Sequence, residues 1–407
     1  MPIAMPSVWL TILLGILLAF TPLGTDTFLP AMPTIARQFG AEPAAVQFGI
    51  TTYFLGVAGG QLAWGPISDR FGRRPALLAG CILFLLASLA CAAAGSVAEI
   101  VALRLVQGLG MSSGPVIARS IVRDLYAREH AARLLAQMII VFSFAPIFGP
   151  LVAAALLTWQ GWPAIFSLHA LVAALVIVAT LFGLKETAPA ARASIHPLHI
   201  AANFGSLLRD RRFLAPVATT LCTLAGIYAF VSNSAFALVQ GAGVTIVQYS
   251  ALFAVVMVGG IVGAWLSSRL VVRLGIPRLV RIGTVIAAAT GAATGMLAWL
   301  GVAHWAALIV PMIGYMFATS FILPNVTAAA MSPFPQMAGA ASSLLGAITF
   351  TLGALISAAL GALFDGSARP LAAALAIAGL SAFAVEAVLA SSGAARPRKP
   401  DSPHGNG

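Results

Sequence analysis

Apolar runs about twenty residues long alternate with short polar breaks from the N-terminus to about residue 390. A helix of that length crosses a hydrocarbon core of about 30 Å. Runs and breaks together predict spans at 8–36, 44–66, 75–95, 98–119, 131–157, 162–184, 213–239, 246–270, 277–299, 303–328, 337–363 and 370–391. The chain therefore reads as an all-α polytopic membrane protein with twelve transmembrane helices. No Lys or Arg precedes the first run and eleven further spans follow it, which predicts a retained helix rather than a cleaved leader.

The longest polar interruption, from Glu186 to Arg212, has six spans on each side. The expected organisation is an N-terminal bundle over 1–186, a central loop over 187–212, a C-terminal bundle over 213–391 and a disordered tail over 392–407. Within the central loop, "LHIAANFGSLLRDRRF" interleaves apolar and basic residues, as a short helix lying on a membrane surface does. The tail, "ARPRKPDSPHGNG", is too polar and too rich in Pro and Gly to fold by itself.

Composition agrees with the pattern: 60% of residues are hydrophobic and only 8% charged, against about 25% charged in a typical soluble domain. The charges are placed systematically. Nineteen of the 22 Lys and Arg residues fall in alternate loops or the C-terminal tail, and basic loops stay in the cytoplasm. Both termini are then expected to be cytoplasmic. The net charge of +11 needs no nucleic-acid partner, because it follows from this asymmetry, with attraction to anionic lipid as a by-product. Cys81, Cys91 and Cys222 all lie in apolar runs and read as small packing residues rather than a disulfide framework or metal site.

One charged loop stands out. "GPISDRFGRRP", Gly65 to Pro75, concentrates one acid and three arginines between apolar runs. Gly65 permits close helix approach, Gly72 a tight turn, and Asp69 can accept hydrogen bonds from an Arg or a helix N-terminus. Arg70, Arg73 and Arg74 supply cations, so the loop can latch one conformation or merely set topology. The loop after the eighth span, "GAWLSSRLVVRLGIPR", repeats Ser-x-Arg and a Gly shortly before Pro. Two halves of similar layout then form a parallel repeat about an axis normal to the membrane.

The first loop resembles the signature between helices two and three of the major facilitator superfamily, "G-x-L-a-D-r-x-G-r-[rk]", at Gly65, Ile67, Asp69, Arg70, Gly72, Arg73 and Arg74. The fuller stretch "GQLAWGPISDRFGRRPALL", with "DTFLPAMPTIA", "RLVQGLGMSSGPVIARSIVRDLY", "LLRDRRFL" and "LPNVTAAA", is similar to the Bcr/CflA branch of drug:proton antiporters. The resemblance covers nearly the whole chain and implies the major facilitator fold, with two six-helix bundles and proton-driven drug export. The fifth-helix pattern "APIFGPLVAAAL" keeps Pro146, Gly149 and Pro150 as an expected hinge. It has Ala153 and Ala154 where the family's exporters usually have glycines, which leaves close packing against helix eight in question.

Few ionisable groups lie at membrane depth, where a charge costs at least about 2.5–3.5 kcal/mol. Asp26 in the first span and Arg104 in the fourth fall at comparable depths and are placed to meet. They read either as a fixed structural pair or as a titrating carboxylate with a neighbouring cation, in which burial opposes the charge and the Arg favours it. The resemblance implies a proton-coupling role for Arg104. Glu386 in the last span has no assigned role. His169 and His304 sit near predicted span ends and read as packing or interfacial residues. Tyr53, Gln107, Tyr228, Phe230, Asn233, Phe236 and Asn325 are the candidates for lining a midplane substrate cavity, with helix packing as the alternative.

No paired carboxylates, His-Asp dyad or nucleotide-binding loop appears, so neither an enzyme nor direct ATP coupling is expected. The expected function is proton-coupled efflux of amphipathic compounds by alternating access, in a bacterial inner membrane, by a monomer with no cofactor and no metal. Export of an endogenous metabolite on the same fold is the alternative.

Overall fold

The computed structural model describes residues 7–126, 128–188, 197–302, 304–334 and 337–391, and the described residues form helices with no strand. The first half holds α1 (Val8–Asp26), α2 (Met32–Phe39), α3 (Pro43–Phe71), α4 (Arg73–Ala92), α5 (Val97–Met111), α6 (Ser113–Leu125), α7 (Arg128–Trp159) and α8 (Pro163–Gly183). After α9 (Pro197–Leu207) come α10 (Arg211–Phe236), α11 (Ile246–Leu274), α12 (Ile276–Trp299), α13 (Ala306–Met331), α14 (Ala338–Ala362) and α15 (Arg369–Ser391). The expected disordered tail, and the loop stretch 189–196, lie outside the described residues.

Among the described residues, eleven helical segments are long and apolar enough to cross a membrane. The remaining predicted span, the second, is α3, 29 residues long, but Gln47, Thr51, Thr52, Gln61 and several glycines dilute its apolar character. Its polar side chains are accommodated because α3 is an inner helix, packed on α5 within its bundle and on α14 of the other. The bundles meet along two seams, α3 with α14 and α7 with α11.

Two spans expected to be continuous are broken. The first ends as an α-helix at Asp26, passes through a 3₁₀ turn at Leu29–Ala31 and resumes as α2. Pro30 and Pro33 lack the N–H that an unbroken helix would need. The fourth breaks at Ser112 between α5 and α6, where Pro115 cannot donate to the carbonyl of Met111, four residues back. Both breaks lie close to the intramembrane charges.

Close approach of α3 and α5 depends on glycine. A Cβ added at Gly56 would sit 2.1 Å from the Leu105 carbonyl oxygen, and one at Gly108 would sit 2.2 Å from that of Tyr53. This reciprocal contact brings Tyr53 against the Arg104 region. The repeat read in the two basic loops is also structural: Gly72 (φ 104°, ψ 154°) joins α3 to α4, and Gly275 (φ 75°, ψ 159°) joins α11 to α12. The helix expected in the central loop forms as α9, and Phe204 and Leu207 on it pack with Phe213, Val217 and Ala341 of the second bundle.

Candidate functional site

Arg104 is completely buried on α5. Its guanidinium carbon lies 4.0 Å from the centroid of the Tyr53 ring and 4.5 Å from that of Phe28, a cation–π cage from α3 and the turn after α1. Nη1 donates to Gln107 Oε1 at 2.6 Å, while Nε and Nη2 find no hydrogen-bond acceptor among the described residues. The Gln107 amide nitrogen donates to Ser88 Oγ of α4 at 2.8 Å and stands 3.3 Å from His169 Nδ1. His169 Nε2 lies 2.6 Å from Thr27 Oγ1. One connected polar network thus joins three helices, α4, α5 and α8, and the end of α1 inside an otherwise apolar bundle.

The expected contact between Asp26 and Arg104 is absent. The three ion pairs among the described residues involve neither, and no hydrogen bond reaches the Asp26 carboxylate. Tyr53 fills the Arg104 cage instead, and its hydroxyl donates to the Thr21 carbonyl at 3.2 Å and to Met111 Sδ. Asp26 is 6% exposed at the carbonyl end of α1. It faces Gly149 of α7, whose added Cβ would lie 3.9 Å from the Asp26 Cβ. The turn that follows Asp26 packs on α7 of its own bundle and on α10 and α11 of the other.

The cavity candidates divide. Phe230 stacks on Phe253 at 5.6 Å, Phe236 meets Phe364 in a tilted contact at 5.8 Å, and both are fully buried among neighbouring side chains here. Asn325 turns its amide back to the Phe321 carbonyl of its own helix. Tyr53 and Gln107 are committed to Arg104. Tyr228 keeps partial exposure and meets Phe54 and Phe350, ring centroids 5.2 and 6.1 Å away, forming an aromatic cluster from both bundles. A separate cavity of about 210 Å³ near His304, Trp305 and Arg369, at one end of the second bundle, touches none of these candidates.

Asn233 forms a lock across the bundles. Its amide nitrogen lies 3.5 Å from Gln47 Oε1 and 3.4 Å from the Leu360 carbonyl, and Gln47 Nε2 donates to the Ser357 carbonyl at 3.2 Å. Both amides are fully buried. Toward the Arg-rich face, the exposed Arg119 to Ser342 hydrogen bond at 3.4 Å also joins the bundles. Asn233→Leu removes two donor contacts at about 0.5–1.5 kcal/mol net each. The expected outcome is severalfold faster maleimide labelling of cysteines placed in α3 and α14 toward the Arg-poor face, with unchanged labelling counting against the lock.

In the charged loop, Asp69 pairs with Arg73 of its own bundle, not with the other bundle. Arg73 Nε also binds Asp124 Oδ2 at 2.8 Å, and Nη1 binds Ser68 Oγ at 2.8 Å. Arg74 reaches the Leu181 carbonyl at 2.6 Å, and Arg70 lies over the Phe71 ring. Gly65 faces Ser343 of α14, 3.7 Å from its added Cβ position. Asp124 and Glu186 were not singled out from sequence as functional residues, although the Asp in "RDLY" stands just past the fourth predicted span. Glu186 caps α4 through the Arg73 and Arg74 backbone N–H groups at 2.8 and 3.2 Å.

Partial burial of Glu186 opposes ionisation, but four backbone N–H groups outweigh it and hold the carboxyl below its usual range. The brace is therefore complete above the ordinary carboxylate range and is lost as pH falls through the depressed value. Gly72→Ala forces a conformation essentially reserved for glycine, at about 1–3 kcal/mol. It also drives a Cβ to 2.5 Å from Glu186 Oε2. Its thermal unfolding temperature in detergent is expected to fall, and an unchanged value would show that α4 does not need the brace.

Pro146, Gly149 and Pro150 all stand inside the unbroken α7. The alanines in question, Ala153 and Ala154, are buried, and α7 packs against α11 with them in place. Oε2 of Glu386 is buried without a hydrogen-bond partner among the described residues. Cys81 and Cys91 are buried free thiols and Cys222 is a half-buried one. No cluster of potential metal ligands occurs among the described residues.

A family model described as Major Facilitator Superfamily matches residues 14–358. The chain is 30% identical over 361 residues to the bicyclomycin resistance protein homolog of Haemophilus influenzae, covering 88% of this chain and 90% of that one. It is 30% identical over 342 residues to multidrug resistance protein D of Escherichia coli, covering 83% and 85%. Among solved structures, a D-xylose–proton symporter superposes with a TM-score of 0.73 at 16% identity, over 93% of this chain and 95% of that one. The human organic anion transporter MFSD10 gives 0.68 at 19%, over 94% and 97%. These likenesses make the protein a membrane transporter rather than an enzyme. The signature loop, the two six-helix bundles and a family match across most of the sequence agree: the chain belongs to the major facilitator superfamily, as its Bcr/CflA-type motifs imply.

Proposed function

We propose that this transporter exports amphipathic drugs or similar small molecules in exchange for protons, by alternating access, across a bacterial inner membrane with both termini in the cytoplasm. The observation that carries this reading is Asp26, a buried carboxylate without an ionic partner, at a helix break between the two bundles and beside the Arg104 cage. Acids held at membrane depth mark proton or substrate pathways. Broken helices are where transporters assemble ion sites. The Tyr228, Phe54 and Phe350 cluster offers an apolar contact for a substrate ring. The names of its relatives, which include a chloramphenicol resistance protein of Pseudomonas aeruginosa at 29% identity over 84% of this chain and 80% of that one, support drugs as the substrate class.

The Asn233 and Gln47 lock then belongs to the state closed on the periplasmic side. The protein works as a monomer, without metal or cofactor, on the proton gradient alone. The test is uptake of bicyclomycin, chloramphenicol and a cationic dye into acid-interior, inside-out vesicles holding the overexpressed protein. Accumulation of at least one compound, collapsing with a protonophore, is expected. Accumulation insensitive to the protonophore would overturn the coupling. Transport confined to sugars or amino-acid derivatives would move the substrate class to endogenous metabolites.

A further inference from the structure

Hydrogen-bond bookkeeping around Arg104 fixes more than its contacts. A guanidinium only donates, so the Gln107 atom facing Nη1 at 2.6 Å is its carbonyl oxygen. The Gln107 –NH₂ group therefore points the other way, toward Ser88 Oγ and His169 Nδ1. An amide N–H needs an acceptor, so Nδ1 carries a lone pair and not a proton. The ring's one proton then resides on Nε2, 2.6 Å from Thr27 Oγ1. That oxygen is free to accept, because the Thr27 hydroxyl proton is donated to the Leu23 carbonyl at 2.6 Å. Each donor meets one acceptor from Arg104 through Gln107, His169 and Thr27 to the backbone of α1. Such a chain is mutually polarising in a low-dielectric interior.

We propose that His169 is a positioning residue for Arg104, held as the neutral imidazole protonated on Nε2, and that it ties the guanidinium to the end of α1 that carries Asp26. Reversing the ring tautomer, or adding a second proton, places an N–H against the Gln107 –NH₂. Gln107 then has to turn over, and Arg104 loses its only hydrogen-bonded acceptor among the described residues. Asp26 and Arg104 are thus connected through α8 although they share no ion pair. Phe84 and Phe166 flank the imidazole at 6.0 and 5.9 Å and shape its slot. That Arg104 serves transport rests on the function proposed above; the tautomer and the tie do not.

Two measurements test the proposal. Nitrogen-15 NMR of the histidine-labelled protein in lipid, with the His169 signal assigned by its loss in His169→Asn, is expected to show at neutral pH an unprotonated Nδ1 and a protonated Nε2. In transport, His169→Phe keeps the ring volume but loses both bonds, and is expected to fall about tenfold, whereas His169→Asn is smaller but offers an oxygen near the Nδ1 position and stays within about threefold. A pure packing role predicts the reverse order. A protonated Nδ1, a charged ring, or a Phe variant that outperforms the Asn variant overturns the assignment. If neither variant folds, the His169 signal is assigned in the unmodified protein by its backbone correlation to Leu168 and Ala170, and that spectrum still decides. Failure of proton coupling in the wild type would remove the exporter reading and leave the tautomer result standing.

Discussion

Asp26→Asn is expected to abolish proton-driven accumulation of substrate while the protein still inserts and folds. The carboxylate is buried without a hydrogen bond or ion pair among the described residues, so the neutral amide removes no such contact between helices. A charge at membrane depth costs about 2.5–3.5 kcal/mol or more, and the substitution lifts that cost whenever the group would ionise. Thermal unfolding should therefore come no earlier than in the wild type. Transport should separate in two: uptake into acid-interior vesicles falls to background, and downhill exchange of substrate persists. That split identifies a coupling residue, because a residue needed for folding or for the substrate pathway loses both. Wild-type accumulation by Asp26→Asn would move the proton site elsewhere in the chain.

The position of Asp26 also bears on what the sequence could and could not reveal. Its depth and that of Arg104 were legible, because a charge inside an apolar run stands out. The twelve spans were legible for the same reason, and the loop glycines Gly72 and Gly275 carried the repeat. The pairing was not legible. Depth counting places residues along the membrane normal and says nothing of the angle around each helix, and Tyr53 occupies the face of Arg104 that Asp26 was expected to fill. His169 was missed as a functional group because its partners, Gln107 and Thr27, lie 62 and 142 residues away in the chain. For Phe230 and Phe236 the sequence left cavity lining and helix packing open, because lipid-facing, helix-facing and cavity-facing surfaces are all apolar in a membrane bundle, and here both rings are packed. The helix breaks at 27–31 and Ser112 could have been inferred from Pro30, Pro33 and Pro115, had proline been weighed against the continuity of the apolar run.

The charged loop invites the second large effect, and it falls on Arg73 more than on Asp69. Arg73 is 4% exposed and holds two acids at once, Asp124 at 8% exposed and Asp69 at 40%. Removing one partner of a buried pair leaves the other charge desolvated and uncompensated, at about 3–5 kcal/mol. A pair with one partner well solvated is worth about 0.2–1 kcal/mol. Arg73→Gln strands Asp124 between α4 and α6 and should destabilise the protein by the larger amount, with poor recovery from the membrane. Asp69→Ala leaves the Arg73–Asp124 pair intact and should unfold nearly as the wild type does. Because Asp69 meets its own bundle here, a latch role requires it to change partners in the other conformation. Asp69→Ala and Asp69→Glu would then be folded but slow in transport, with altered labelling of cysteines on the Arg-rich side. The double substitution Arg73→Gln with Asp124→Asn removes both buried charges and should regain most of the lost stability without regaining transport. Equal stability losses from Arg73→Gln and Asp69→Ala, or no recovery in the double variant, would show that Asp124 is not the acid the arginine holds in place.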